Sequence, residues 1–233
     1  RSVARRLEAY AQLMRLDRPI GTWLLLWPVL WALWIAGAGR PPERVLIIFV
    51  LGVFVMRAAG CVINDFADRN IDPQVKRTRG RPLAARRPSP HEARVLSGAL
   101  LAIALWLVTR LDPLTIKLSV VGAPLTVSYP LMKRWFPLPQ FYLGLSFGGW
   151  GIPMAFAATL GAIPRVGWVL FLAAVLWAMV FDTLYAMVDR EDDRKLGVRS
   201  SALLFADMDR LIVGAMQAMM LFALYLAGRS MEF

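Results

Sequence analysis

Apolar residues occur in long blocks along this chain, and short polar stretches separate the blocks. Most of the blocks reach the length that a helix needs to cross a bilayer, about 20 residues. They cover residues 20–37, 45–63, 93–111, 114–131, 141–160, 166–188 and 211–227. The blocks lack the alternation of apolar and polar residues that is typical of soluble domains. The pattern therefore predicts an all-α, polytopic membrane helix bundle with about seven transmembrane helices.

Composition and charge agree with a membrane protein. Hydrophobic residues make up 58% of the chain, and the formal net charge is +11. A nucleic-acid partner is not expected, because 20 of the 27 Lys and Arg residues lie on one predicted side of the membrane, the side of the amino terminus. Basic residues accumulate on the cytoplasmic side of membrane proteins. We therefore predict a bacterial cytoplasmic (inner) membrane protein with a cytoplasmic amino terminus, with the mitochondrial inner membrane as the alternative.

Two acidic motifs follow apolar blocks. The first, after the second block, comprises Asn64, Asp65, Asp68 and Asp72. The second, at the end of the sixth block, comprises Asp182, Tyr185, Asp189 and one of Asp192 and Asp193. Spacings of three and four residues place the members of each motif on one face of a helix. Each motif is therefore predicted to form a polar stripe at the mouth of a membrane helix.

These stripes offer oxygen ligands, which suit a hard cation such as Mg²⁺ that also binds phosphate oxygens. Two stripes that face each other would hold two or three such ions around a diphosphate. The alternative, solvated helix ends, is disfavoured because like charges on adjacent turns repel unless a cation intervenes. The single cysteine, Cys61, and the single histidine, His91, exclude a thiolate zinc site and a His-pair metal site.

Basic residues accompany the first motif. Arg57 lies in the second block, two helical turns before Asn64. Because a lipid-facing arginine is costly, we expect Arg57 to point inward and bind an anion or the acidic stripe. The alternative is that Arg57 pairs with a carboxylate only to reduce the cost of its own position in the membrane, without a functional role. After the motif, residues 76–82 form a cationic segment that includes Arg77 and Arg81 and can close over phosphate oxygens.

Tyr129 and Lys133 end the fourth block and lie four residues apart. This spacing lets both side chains share one helix face and reach the predicted cavity.

The motif Asn64-Asp65-x-x-Asp68-x-x-x-Asp72, with Arg77-Thr78, Arg81-Pro82 and Asp182-x-x-Tyr185-Ala186-x-x-Asp189-x-x-Asp192-Asp193, resembles the UbiA superfamily of intramembrane aromatic prenyltransferases. Three further stretches resemble its branch of bacterial 4-hydroxybenzoate polyprenyltransferases of ubiquinone biosynthesis. These are Arg18-Pro19-Ile20-Gly21-Thr22, Arg57-Ala58-Ala59-Gly60-Cys61 and Tyr129-Pro130-x-x-Lys133-Arg134.

The resemblance implies a helical bundle whose central cavity opens to the cytoplasmic side, with Mg²⁺ as cofactor. It implies metal ligands at Asn64, Asp68, Asp72, Asp182 and Asp189. It implies diphosphate or substrate binding by Asp65, Arg77, Arg81, Lys133, Tyr185, Asp193 and Arg18. Arg57 and Tyr129 are implied to lie near the aromatic acceptor or the reacting carbon.

The implied reaction transfers a polyprenyl group from a polyprenyl diphosphate to the ring carbon of 4-hydroxybenzoate ortho to its hydroxyl. The expected partners are these two substrates and membrane lipid, without an obligatory protein partner. A superfamily member that uses a naphthoquinone precursor, homogentisate or haem stays an alternative. A membrane transporter is disfavoured, because transporters place coordinating groups near mid-bilayer on broken helices.

The resemblance covers essentially the whole chain and predicts a single domain over residues 1–233. Members of the superfamily usually have about nine spanning helices, so we expect this chain, which ends at Phe233, to lack the last two.

Overall fold

The computed structural model describes residues 2–76 and 78–231, without the side chains of Ser2 and Lys133. Its helices are α1 (Ser2–Leu13), α2 (Ile20–Ala36), α3 (Glu43–Ala67), α4 (Pro90–Val108), α5 (Pro113–Trp135), α6 (Pro139–Leu143), α7 (Gly151–Leu160), α8 (Arg165–Val188), α9 (Arg190–Leu196), α10 (Ser201–Phe205) and α11 (Asp209–Ser230). Short 3-10 turns cover Asp72–Gln74 and Ala206–Met208, and a π-helical turn covers Gly144–Gly149. No strand occurs among the described residues. The predicted all-α fold class is confirmed.

Six helices of the described part are long and apolar enough to cross a membrane. They are Glu43–Ala67, Pro90–Val108, Pro113–Met132, Pro139–Leu160, Arg165–Val188 and Ser201–Ser230, and each overlaps one predicted block. The remaining block corresponds to α2, a shorter apolar helix of 17 residues. The number of seven spans and the cavity therefore stay predictions.

Local sequence sets several helix ends. Ser89 caps α4 by accepting a hydrogen bond from the Glu92 amide, and the Glu92 carboxylate accepts one from the Ser89 amide. This reciprocal capping satisfies two amides that have no partner within the helix. The Asp112 side chain caps α5 by accepting from the amides of Leu114 and Thr115. At the other end of a helix, Gly161 terminates α7 with a φ of 69°, which glycine adopts without steric cost.

The helices gather into two compact units. The first unit comprises Arg1–Leu26 and Ile48–Arg110, and the second comprises Trp27–Ile47 and Leu111–Phe233. Because α2 and α3 each contribute residues to both units, the division does not separate two continuous stretches of chain. The single domain stays a prediction.

The core of the first unit joins α1, α3 and α4 to the segment that follows the first acidic motif. Its buried members are Leu13, Ala58, Ala59, Val62, Leu83, Ala93 and Leu100. Leu83 belongs to the basic stretch between α3 and α4, so that stretch is anchored by an apolar side chain. Apolar burial therefore holds the segment that carries Arg81 against the end of α3.

In the second unit, α8 is the central helix, and it packs against α11, α6 and the π-helical turn. Gly144 and Gly148 of this turn face α8, where an added Cβ would meet Val175 and Ala178 respectively. Small residues four apart let membrane helices approach closely and gain van der Waals contact. The pair of glycines therefore fixes the distance between the turn and α8.

Replacing Gly148 with alanine is expected to destabilise the second unit by about 1–3 kcal/mol, the usual cost of overpacking. The new Cβ would lie 2.6 Å from the Ala178 Cβ and 3.2 Å from the Ala174 carbonyl oxygen, so the two segments must separate. Thermal unfolding in detergent measures the effect. Gly214→Ala in α11 is the matched control, since its added Cβ would meet no described atom within 4 Å apart from its chain neighbours and the nearby backbone of its own helix. Equal unfolding temperatures for the two variants would contradict the proposed packing role.

Candidate functional site

The first acidic motif lies where α3 ends. The Asp68 amide still donates to the Asn64 carbonyl at 2.9 Å, and the Asp72 amide donates to the Asp68 carbonyl at 2.8 Å. However, α3 stops at Ala67, and Asp72 begins a 3-10 turn. The prediction of one continuous helical stripe is therefore wrong beyond Ala67. Pro73 has no amide to donate, so an α-helix could not have continued through it, and it lies at the start of the 3-10 turn instead.

Asp65 is the most deeply buried acid of this motif, with 1% of its surface exposed. Arg15 Nη2 donates to both of its carboxylate oxygens, at 2.8 and 3.0 Å. Arg81 Nη1 lies 3.3 Å from Asp65 Oδ1 and donates to both oxygens of Asp72 at 3.1 Å. Two arginines and two aspartates thus alternate in one cluster. Opposite charges in this arrangement offset part of the cost of removing the carboxylates from water.

The segment after the motif is folded onto Asp72. Thr78 Oγ1 donates to the Asp72 carbonyl at 3.0 Å, and the Arg81 amide donates to the Thr78 carbonyl at 2.9 Å. Burial raises the pKa of the Asp72 carboxyl above its usual range, and the positive charge of Arg81 opposes this shift. A further cation near Asp72 would favour its ionised form. Such a site is suited to bind a metal ion.

Arg57 lies deeper along α3 and is half-buried. It donates a hydrogen bond to the Cys61 sulfur. Its guanidinium also lies against Gly21 of α2, where an added Cβ would be 2.8 Å from Nε. The stretches Arg18–Thr22 and Arg57–Cys61, which the sequence singled out separately, therefore meet in the first unit.

Three other predicted binding residues belong to exposed or undescribed parts of the chain. The Arg18 side chain is 79% exposed, and its Nε lies 3.7 Å from Asp17. Arg77 and the side chain of Lys133 lie outside the described residues. Their roles stay predictions.

The second acidic motif extends over the junction of α8 and α9. Asp182 and Tyr185 lie on α8, Asp189 links the two helices, and Asp193 lies on α9. The Asp193 amide donates to the Asp189 carbonyl at 2.9 Å, so one turn of hydrogen bonding spans the junction. Asp182 and Asp189 are half-buried, and Tyr185 is exposed. As in the first motif, the stripe predicted as continuous helix is interrupted.

Neighbouring polar contacts fix this junction. Thr183 is fully buried on α8, and its hydroxyl lies 2.8 Å from the Ser201 hydroxyl. The Ser201 amide donates to Gln140 Oε1 at 2.9 Å. Arg190, directly after Asp189, forms an ion pair with the buried Asp209 at the start of α11. These contacts position the acidic face of α8 within the second unit.

Tyr129 lies on α5 in the same unit and is half-buried. Its ring meets Phe147 edge to face, with centroids 6.1 Å apart. Edge-to-face contact is a favoured arrangement for a pair of aromatic rings.

A family model described as the UbiA prenyltransferase family matches residues 25–232 of this chain. The chain belongs to this family. The match includes both acidic motifs and all six helices that are long enough to cross a membrane. With these helices, family membership makes the chain a multi-pass membrane protein, as its hydropathy pattern predicts.

Curated relatives of this UbiA-family chain share one name. The 4-hydroxybenzoate octaprenyltransferase of Nitrosococcus oceani is 58% identical over 223 residues, which are 96% of this chain and 78% of the relative. The enzyme of the same name from Methylococcus capsulatus is 58% identical over 228 residues, which are 98% of this chain and 78% of the relative. That of Coxiella burnetii (strain CbuK_Q154) is 50% identical over 232 residues, covering 100% and 80%. The predicted branch of the superfamily is confirmed.

Solved structures show the same fold. A UbiA homolog from Aeropyrum pernix K1, in its apo form, matches with a TM-score of 0.79 and 26% identity, over 91% of this chain and 80% of that one. A UbiA homolog from Archaeoglobus fulgidus bound to GPP and Mg²⁺ matches with a TM-score of 0.78 and 17% identity, over 94% and 77%. At 17% identity, the likeness to the Archaeoglobus fulgidus protein concerns the fold alone.

The residues of the first motif fit a hard divalent cation that shares ligands with a substrate. Among the described residues, no group of three or more His, Cys, Asp or Glu side chains lies close enough together to hold a metal alone. Asp68 and Asp72 nevertheless offer carboxylates that are 6% and 4% exposed. Mg²⁺ is usually bound by one or two carboxylates together with waters and substrate phosphates. The donor set of this UbiA-family chain matches that pattern.

Arg15 is the site residue that the sequence did not single out. It lies 50 positions before Asp65, within a tail that contains several other arginines. Its backbone φ of 58° falls in the left-handed region, which is uncommon for a residue with a side chain. No spacing signal in the sequence connects it to the acidic motif.

Proposed function

We propose that this chain transfers a polyprenyl group from a polyprenyl diphosphate to the ring carbon of 4-hydroxybenzoate ortho to its hydroxyl, giving 3-polyprenyl-4-hydroxybenzoate in ubiquinone biosynthesis. The observation that carries the proposal is its 50–58% identity to enzymes named for this acceptor, over nearly its full length. The cluster at the end of α3 supplies the arginine and carboxylate chemistry that a diphosphate substrate requires. The acceptor is thus inferred from the relatives, and the binding of the diphosphate is inferred from the arginines and carboxylates of this chain.

The residues of both motifs have assigned roles in this proposal. Arg81 donates to the diphosphate oxygens, since a guanidinium presents several N–H donors suited to phosphate. Bound Mg²⁺ supplies positive charge that stabilises the departing diphosphate. Its ligands would come from the first motif and from the second motif, namely Asn64, Asp68, Asp72, Asp182 and Asp189.

Bond breaking and bond making then follow an electrophilic aromatic substitution. The allylic carbon–oxygen bond breaks, and its electron pair leaves with the diphosphate. An electron pair of the hydroxybenzoate ring forms the new carbon–carbon bond, and the ring loses a proton to solvent to become aromatic again. We assign to the Tyr129 ring the stabilisation of the allylic cation through its quadrupole. We assign to Arg57 the binding of the acceptor's carboxylate. A positively charged side chain on an apolar helix such as α3 is expected to pair with an anion.

The distribution of basic residues along the chain indicates on which side of the membrane the reaction takes place. Both acidic motifs belong to the predicted side that carries 20 of the 27 basic residues. We infer that this side faces the cytoplasm and that the membrane is the bacterial inner membrane. Soluble 4-hydroxybenzoate and Mg²⁺ then reach the site from the cytoplasm, and the product leaves into the bilayer.

Membranes that contain this chain are expected to convert labelled 4-hydroxybenzoate into lipid-extractable product when they receive a long-chain prenyl diphosphate and Mg²⁺. EDTA in place of Mg²⁺ is expected to abolish the product, because the buried carboxylates cannot hold the diphosphate alone. Membranes from the same host without the chain provide the background. Product from homogentisate or a naphthoquinone precursor, with none from 4-hydroxybenzoate, would overturn the proposed acceptor.

A further inference from the structure

The Arg15 guanidinium binds two partners at once, the Asp65 carboxylate and the end of α1. Arg15 follows α1, and its guanidinium binds both oxygens of a carboxylate that is 1% exposed. Its other terminal nitrogen, Nη1, donates to the Gln12 carbonyl at the end of α1 at 2.9 Å. The Arg15 backbone adopts a left-handed conformation with a φ of 58° to make these contacts. The guanidinium is therefore held at both ends and has little freedom to move.

Arg81 is held differently. A single nitrogen, Nη1, serves Asp65 at 3.3 Å and both oxygens of Asp72 at 3.1 Å. A guanidinium has five N–H donors, so most of the Arg81 donors are not used by these carboxylates. Arg81 also lies on the segment whose Leu83 packs into the core of the first unit. Of the two arginines, Arg81 has more donors to offer to a ligand.

We propose that Arg15 is a positioning residue, the fixed counter-ion of Asp65 that allows Arg81 to serve the diphosphate. The inference rests on the proposed function. While the remaining N–H donors of Arg81 bind phosphate oxygens, its Nη1 stays beside Asp65 and Asp72, and Arg15 holds the Asp65 carboxylate in place and supplies its second positive charge. Leaving a buried carboxylate unpaired is strongly unfavourable. Asp65 in turn holds Arg81 near Asp72, so the Arg15–Asp65 pair sets the position of both groups.

A simpler role would also explain the contact: Arg15 could neutralise Asp65 only so that Asp65 can be buried. The two roles differ in one variant. If neutralisation is the whole role, the double variant Arg15→Met with Asp65→Asn should recover both stability and diphosphate affinity. If the pair positions Arg81, the double variant should recover stability but keep a weakened affinity, because no carboxylate holds Arg81 from that side.

The experiment compares wild type with Arg15→Met, Arg15→Lys, Asp65→Asn and the double variant in detergent. Arg94→Met is the matched control, since Arg94 is an exposed arginine on α4. The first measurement is the Kd of geranyl thiolodiphosphate, a substrate analogue that transfers poorly, in the presence of Mg²⁺. The second, without Mg²⁺ or analogue, is amide hydrogen exchange at Thr78 and Arg81. The third is thermal unfolding.

Arg15→Met is expected to weaken the analogue Kd by about 10-fold to 100-fold, the usual effect of removing a group that orients ligands. Faster exchange at the Thr78 and Arg81 amides should accompany it, with partial recovery in Arg15→Lys and no change in Arg94→Met. A double variant that unfolds near the wild-type temperature but binds as weakly as Arg15→Met supports the proposal. Recovery of both properties in the double variant would overturn it, as would a wild-type Kd in Arg15→Met. Absence of Mg²⁺-dependent binding by the wild type would instead contradict the proposed function, and this inference with it.

Discussion

Asp68→Asn is expected to lower the rate of Mg²⁺-dependent prenyl transfer by about a thousandfold. The change removes a negative charge that we assign to metal binding, and charge stabilisation of this kind is worth several kcal/mol, with about 1.4 kcal/mol for each factor of ten. Asparagine has nearly the same size and shape as aspartate. The Asp68 backbone carbonyl, which accepts from the amides of Ile71 and Asp72 at 2.8 Å, is unchanged by the substitution.

The matched control is Asp207→Asn, because Asp207 is an exposed aspartate in the 3-10 turn before α11. Both variants should unfold near the wild-type temperature, and the control should retain the wild-type rate. Initial rates over a range of Mg²⁺ concentrations distinguish weaker metal binding from a slower bound complex. A near-normal rate for Asp68→Asn at low Mg²⁺ would remove Asp68 from the metal site.

Local features of the fold could be predicted from the sequence because they depend on neighbouring residues. The apolar blocks gave the positions of six long helices, since transfer of a helix into lipid depends on its own hydropathy. Ser89, Pro90 and Glu92 predict the start of α4, and the structure confirms the capping pattern. His91 lies within that helix start.

The internal arrangement of the acidic motif could not be predicted in the same way. Its residue types and spacing indicate metal and diphosphate chemistry, but 27 basic residues could pair with 16 acidic ones. The pairing of Asp65 with Arg15 depends on how α1 packs beside α3, a contact between distant parts of the chain. The end of α3 at Ala67 was also missed, because the helical spacing of the acids continues past that residue.

Arg81→Met is expected to reduce both the stability of the first unit and the rate of prenyl transfer. Removing the guanidinium leaves Asp72 without its partner at 3.1 Å and takes one of two arginines from Asp65. Breaking a fully buried pair costs about 3–5 kcal/mol, and because the Arg81 side chain is 21% exposed we expect about 2–3 kcal/mol. Arg81→Lys should fall between the wild type and Arg81→Met, since an ammonium keeps the positive charge but lacks the further guanidinium donors that would bind the diphosphate. Thermal unfolding and initial rates measure the two effects.

The double variant Arg81→Met with Asp72→Asn separates stability from catalysis. Neutralising Asp72 removes the unpaired carboxylate, so the unfolding temperature should rise again toward that of the wild type. The rate of prenyl transfer should stay low, because the variant lacks both the guanidinium that donates to the diphosphate and one carboxylate ligand of the metal. Arg5→Met, at an exposed arginine of α1, controls for the loss of a positive charge. If Arg81→Met unfolds early but transfers prenyl groups at the wild-type rate, Arg81 only balances the charge of buried carboxylates, and the diphosphate must be bound by other cations of the chain.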